Sequence, residues 1–319
     1  MRFKNLFLGL ALPLSFFFIS CATQEEEVTS IETNVNASYA DVITQIKAIQ
    51  IPQKDLAVYE EEQNFVQNRG VRWRRFWRWL GIVMSDAVGG LKFQVNKGSL
   101  NTSVDLANAI ATSISTYKIF KSSEISTPQQ FAKITSTGLP TPILNDSTYW
   151  KSPTGFDVYP GSSSDAEAHS SGYYHNRIIT DLYNKYGNDI LNLSVNVLDS
   201  LITQKVAVYN VEHDMNYTVE GCDTASVNFV CSTCLNSESL EECIQTFTEQ
   251  CPDMTSELQV IKAIFERLEE IDIDTEDGDF ASEATYIIGN ANIPDDVKVR
   301  LETILSIANA SIRLWNFEN

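Results

Sequence analysis

The 319-residue chain carries 42 acidic side chains against 23 lysines and arginines, a formal charge of −19. That balance excludes a nucleic-acid partner, because phosphate binding needs a basic face, and it opposes general adhesion to an anionic membrane. A hydrophobic content of 43% excludes a chain disordered throughout.

Residues 1–20 divide as a secretory signal peptide does. Arg2 and Lys4 give a positive start, and the run from Leu6 to Ile19 is apolar and uncharged. Spanning a bilayer takes about 20 apolar residues, so this shorter run, interrupted by Pro13, reads as a signal core and not as a permanent helix. Phe18-Ile19-Ser20-Cys21 follows, with small Ser20 directly before the cysteine. These four residues resemble the lipobox of bacterial lipoproteins, although Phe18 stands where that family usually has Leu. The resemblance implies a diacylglycerol and palmitate on the Cys21 sulfur, cleavage before Cys21, and a membrane partner reached through the lipid. Ala22-Thr23-Gln24-Glu25-Glu26-Glu27 then resembles the surface-export signal of Bacteroidota lipoproteins, which implies the outer membrane, facing outward. Residues 21–37 read as a lipidated flexible tether, and loss of Arg2 and Lys4 takes the charge to −21.

Residues 38–120 read as N-terminal helices. Ser38 with Asp41 forms a capping-box-like start; Val42, Ile43, Ile46 and Ile49 give an apolar face, and Pro52 stops the helix. A second helix is predicted from about 71 to 88. Five arginines lie between Arg69 and Arg78 with no acid among them. Helical spacing puts Trp73, Phe76, Trp77, Leu80 and Met84 on one side, with Trp79 beside them. Arginine heads with tryptophan bodies compose an interfacial membrane helix, so Trp73, Phe76, Trp77 and Trp79 are candidates for membrane or partner contact. The competing reading packs that side on the core and pairs the arginines with the acidic stretch 212–279. Leu106, Ala107, Ile110, Ile114 and Tyr117 mark a third helix.

Prolines, glycines and serines interrupt every period over 121–171, which reads as a long irregular loop or linker. Tyr149, Trp150, Phe156 and Tyr159 within it suit either a sugar-stacking platform or pins holding the loop to the body. Helical periodicity returns in a C-terminal region, 172–319. Ile178, Ile179, Leu182, Tyr183 and Tyr186 form one face, ended by Gly187-Asn188. Ile190, Leu191, Leu198, Leu201 and Ile202 form the next, and Gln204–Tyr209 is the best strand candidate in a chain with little alternation. Ile261, Ile264, Phe265, Leu268 and Ile271 make a strongly amphipathic helix. The last helix opens with Pro294, Asp295 and Asp296, with Val297, Leu301, Ile304, Leu305, Ala308, Ile312 and Trp315 on its buried side. The fold class is therefore all-α: a helical bundle or array with a long irregular loop in the middle and a cysteine-rich segment.

A cysteine-rich acidic insert, 212–280, holds Cys222, Cys231, Cys234, Cys243 and Cys251. Outside the cytoplasm disulfides are the default; five cysteines predict two bonds and one thiol, with the pairing open. The spacing C-x8-C-x2-C-x8-C also suits a tetrahedral zinc. A redox CxxC at Cys231 and Cys234 needs a strand-to-helix setting, which the pattern lacks. Asp272, Asp274, Glu276, Asp277 and Asp279 cluster around Gly278. They suit either calcium or a solvated helix-ending loop, though not an EF-hand, since Ile273 would take the first ligand position. His169, His175 and His213 are the three histidines, and no HExxH, GxSxG or Walker motif accompanies them.

These observations predict a cell-envelope lipoprotein whose domain binds a protein or glycan partner without catalysis and without a cofactor, calcium and zinc standing as the alternatives. Two rival readings stay open. One is an extracytoplasmic hydrolase whose acids and histidines converge in the fold; the other is a membrane-active effector using the Arg/Trp helix.

Overall fold

Apolar residues three and four apart fold this chain into helices. The computed structural model describes residues 38–50, 80–94, 99–100, 104–125, 140–142, 166–219, 221–268, 270 and 278–317. Ten helices dominate the described residues and make the class all-α.

Helix α1 spans 38–48 and buries Tyr39, Val42 and Ile46. Helix α2 spans 80–89 and is buried on every side. A short antiparallel ladder of β1 (Phe93–Gln94) and β2 (Ser99–Leu100) leads to α3 (Leu106–Ile125). Then come β3 (Pro140–Pro142), α4 (Ala166–Tyr186), a 3-10 helix (Gly187–Asn192) and α5 (Val195–His213). Helices α6 (Thr224–Asn236) and α7 (Leu240–Gln250) form a hairpin, followed by a 3-10 turn (Pro252–Met254) and α8 (Thr255–Leu268). Helices α9 (Gly278–Asn290) and α10 (Asp295–Leu314) complete the set, and β4 (Trp315–Phe317) pairs antiparallel with β3.

Side-chain caps set several of these boundaries. Ser194, Asp223 and Ser239 accept from the N–H of Val197, of Ala225 and Ser226, and of Glu242 respectively. Each satisfies donors that the first helical turn leaves without a partner. The Pro294 carbonyl accepts from Val297 and Lys298, and Asp295 and Asp296 stand in the first turn of α10, where the helix dipole favours acids.

Helices α4 and α10 form the most extensive pair. A Cβ at Gly172 would lie 2.1 Å from the Ser306 carbonyl oxygen, so the two backbones meet where a side chain has no room. Helix α8 is deeply buried through Leu258, Ile261, Ile264, Phe265 and Leu268. It receives α1 through Lys47–Glu266 at 2.7 Å and through the Arg267 guanidinium, which donates to the Ile49 carbonyl. It receives α10 through Arg300, which donates to both Glu257 oxygens at 2.8 and 3.1 Å and to Asp296 at 2.8 Å.

Three sequence expectations need correction. Gln204–Tyr209 is not a strand but the middle of α5. Leu198, Ile202, Val206 and Tyr209 fall on one side of that helix and are buried, so the apparent alternation at Val206 and Val208 is the edge of a helical face. Ile190 and Leu191 lie in the 3-10 helix, separate from the helix that carries Leu198. Helical structure also enters the interval read as loop: α3 continues to Ile125 and α4 starts at Ala166. Among the described residues, no helix is long and apolar enough to cross a membrane.

Candidate functional site

The cysteine segment folds as the α6–α7 hairpin and its continuation, and its five cysteines are thiols in this structure, where the sequence predicts two bonds. The helices distribute them over different contacts. Cys222, just before α6, points its thiol at the Ala107 carbonyl, 3.5 Å away. Cys231 accepts from the Thr116 hydroxyl at 3.1 Å and points its thiol at the Thr112 carbonyl. Cys243 Sγ lies 3.8 Å from Cys234 Sγ. Helix α2 lies close over this region, since a Cβ at Gly81 would stand 2.8 Å from the Cys234 carbonyl oxygen.

These environments withhold the thiolate. Burial pushes the Cys231 thiol up to about 12. Burial, reinforced by the Cys243 thiol, raises Cys234 well above the ordinary range. Cys222 is raised by burial and then by Asp199, and Cys251 by burial. The thiolate is the nucleophile and the metal ligand, so these cysteines rest in their unreactive form. Among the described residues, no three His, Cys, Asp or Glu side chains gather closely enough to hold a metal.

A second cluster carries no motif and escapes sequence reasoning. Lys92, at φ +44°, forms a buried ion pair with Asp105 at 2.5 Å. Asp105 caps α3 by accepting from the Asn108 N–H at 3.0 Å, and the Asn108 amide donates to the Gly89 carbonyl. The Asn108 side-chain oxygen accepts from the N–H of Asp223, and Asp199 on α5 accepts from the N–H of Cys222 at 2.7 Å. The end of α2 and the starts of α3 and α6 are thus tied together, with α5 joined through Cys222. Burial raises the Asp105 carboxyl against the pull of Lys92 and Asn108. Burial acts upward on Asp199 too, but the Cys222 N–H and thiol and the Thr203 hydroxyl hold it below the usual range. The signal available in the sequence is the pair of aspartates, Asp105 and Asp223, placed directly before helices as N-caps.

His175 and His213 stand in different settings. His169 falls within α4. His175 is fully buried; its Nδ1 lies 2.9 Å from the Asn176 side-chain oxygen, and the Asn176 amide donates to Ala310 of α10. That arrangement puts the proton on Nδ1. It leaves Nε2 as a lone pair with no hydrogen-bond partner among the described residues. Burial, opposed by Asn176, pushes His175 down to about 4. His213 is exposed at the end of α5, stacked on Tyr209 at 5.5 Å and touching Tyr174 at 5.4 Å. Beneath it, the Tyr209 hydroxyl and Lys205 both donate to Asp181, at 2.8 and 3.0 Å.

Beyond that aromatic end, α5 presents apolar side chains to solvent. Val197, Val208 and Val211 are 47%, 44% and 87% exposed, with half-buried Leu201 between the first two. Positions 197, 201, 208 and 211 share one stripe of the helix, distinct from the buried face.

Several sequence-predicted positions lie outside the described residues: Cys21, Trp73, Phe76, Trp77, Trp79, Tyr149, Trp150, Phe156, Tyr159, Asp272, Asp274, Glu276 and Asp277. Asp279 of the acidic cluster falls in the first turn of α9. No protein-family model, curated protein or solved structure matches this chain.

Proposed function

We propose that this chain is a lipid-anchored protein of the bacterial cell envelope, held through Cys21 on the outer membrane with its acidic tether facing outward, and that its helical domain binds a protein partner without performing catalysis. The observation that carries the binding reading is the valine stripe on α5. Val208 and Val211 on adjacent turns, with Val197 three turns earlier on the same side beyond Gln204, leave apolar surface in water, and a partner that covers them removes it at about 25 cal/mol per Å². Aliphatic side chains in a helical row suit an apolar protein face; a glycan asks for aromatic platforms and polar groups. The resting states of His175 and of the Cys231, Cys234 and Cys251 thiols agree with this reading, since burial favours the neutral form of each.

Two measurements on the native organism test it. Intact mass of the membrane-derived protein should show cleavage before Cys21 plus acyl chains; an unlipidated product removes the anchor. A photo-crosslinking residue at position 208 should give a discrete protein adduct on intact cells, whereas the same residue at Asp295, 96% exposed at its side chain, should give none. Adducts at neither position would overturn the binding reading.

A further inference from the structure

We infer that Cys234 and Cys243 are joined by a disulfide that locks the α6–α7 hairpin, while Cys222, Cys231 and Cys251 remain thiols. The inference rests on the envelope reading for its oxidising surroundings; the choice of pair rests on geometry alone.

Cys234 lies in the last turn of α6 and Cys243 in the first turn of α7, with the three-residue connection Ser237-Glu238-Ser239 between the helices. The hairpin brings the two sulfurs to 3.8 Å, and bond formation closes that to about 2.05 Å, a movement within reach of side-chain rotation. Neighbours hold the Cys231 and Cys222 thiols elsewhere. Cys231 faces α3 through Thr116 and Thr112, and Cys222 faces Ala107 and Asp199. Capping fixes the register of the hairpin: Ser239 holds the Glu242 N–H, and the Glu242 carboxylate accepts from the Glu238 N–H at 2.6 Å. The α7 turn that carries Cys243 is therefore anchored at its start.

The reaction removes one hydrogen from each thiol: two protons and two electrons leave, the S–S bond forms, and a disulfide oxidant is reduced to two thiols. Cys234 and Cys243 are 2% and 1% exposed in the folded chain, so an oxidant reaches them poorly there. The bond forms on the folding chain, where residues nine apart meet early because the loop is short, and the core then covers it. Burial of the thiols makes oxidation of the already folded, reduced protein slow.

The probe is oxidised glutathione. The full chain is unfolded under reduction and refolded in a glutathione redox buffer. Remaining thiols are alkylated, and the protein is cut with a glutamate-specific protease, because no lysine or arginine separates the five cysteines. Cleavage after Glu238, Glu241 and Glu242 releases the two partners as different peptides. The expected result is one linked pair, 2 Da lighter than its reduced peptides, with fragmentation placing the bond at Cys234 and Cys243 and alkylation on the other three. A C231S chain should keep the link, and a C243S chain should lose it with no replacement. Five alkylated thiols, or a bond at Cys231, Cys222 or Cys251, would overturn the assignment. The same digest of protein taken from cells separates the two proposals: a link that forms on refolding but is missing from the cell-derived chain counts against the oxidising compartment and leaves the pairing standing.

Discussion

Acidification should weaken this fold through His175 by an amount that a single substitution isolates. Burial lowers its pKa from 6.5 to about 4. An unfolded chain takes up a proton at this side chain below pH 6.5, whereas the folded chain resists until about pH 4. Between those values the unfolded state holds more protons, so stability falls as the pH falls and is fully present only above 6.5. From pH 7.5 to 4.5 the linkage amounts to about 2.5 kcal/mol. Many carboxylates titrate in the same interval, so the measurement is a difference. Urea unfolding of the native chain and of His175→Gln, which cannot take a proton, is compared at both pH values. The native chain should lose about 2.5 kcal/mol more than the variant. Equal losses, or an imidazole resonance for His175 that titrates near 6.5, would refute the assignment of a sealed, neutral histidine.

Three further outcomes follow from the packing. Gly172→Ala should destabilise the fold by about 2 kcal/mol or more in chemical denaturation, because its Cβ has the Ser306 carbonyl in its way; unchanged stability would mean that α4 and α10 are not in contact there. Glu257→Gln should cost about 2–3 kcal/mol, less than full loss of a buried partner because Asp296 still holds Arg300. The double change Glu257→Leu with Arg300→Met should recover part of that loss, and a double variant weaker than both single ones would contradict the pairing. Val211→Glu, at an 87% exposed site, should leave the unfolding midpoint unchanged within about 0.5 kcal/mol while weakening any crosslink formed from position 208.

The helical class is legible in the sequence because apolar residues recur at helical spacing over long stretches. Leu301, Ile304, Leu305 and Ala308 are spaced for one face and are buried on it. The opening of α10 at Pro294-Asp295-Asp296 is legible for the same local reason, since a proline and two acids meet the demands of a first turn without help from the rest of the fold. The polar tie at Lys92 is not. Its members are separated by up to 134 positions, from Gly89 to Asp223, and only the fold brings them together. The cysteine pairing lies between these extremes. Spacing places Cys234 and Cys243 on neighbouring segments, but choosing them over Cys231 depends on which face of α6 turns toward α3.

Function is harder to read in this chain than fold. A motif search succeeds when chemistry is held by residues close in sequence, as in a nucleophile elbow or a phosphate loop. Three reactive side chains among the described residues serve cohesion: His175 positions Asn176 against α10, Cys231 meets Thr116, and Asp199 holds the backbone entering α6. What α5 leaves free is a row of valines, and valine is selected in a partner surface and in a core by the same property. An apolar residue at helical spacing is thus read first as core, and only the orientation of α5 shows that Val197, Val208 and Val211 face outward while Leu198, Ile202 and Val206 face in. Exposed aliphatic rows of this kind are where a binding helix and a buried helix diverge, and substitutions at Val208 and Val211 separate the two because one reading makes them neutral to folding and the other does not.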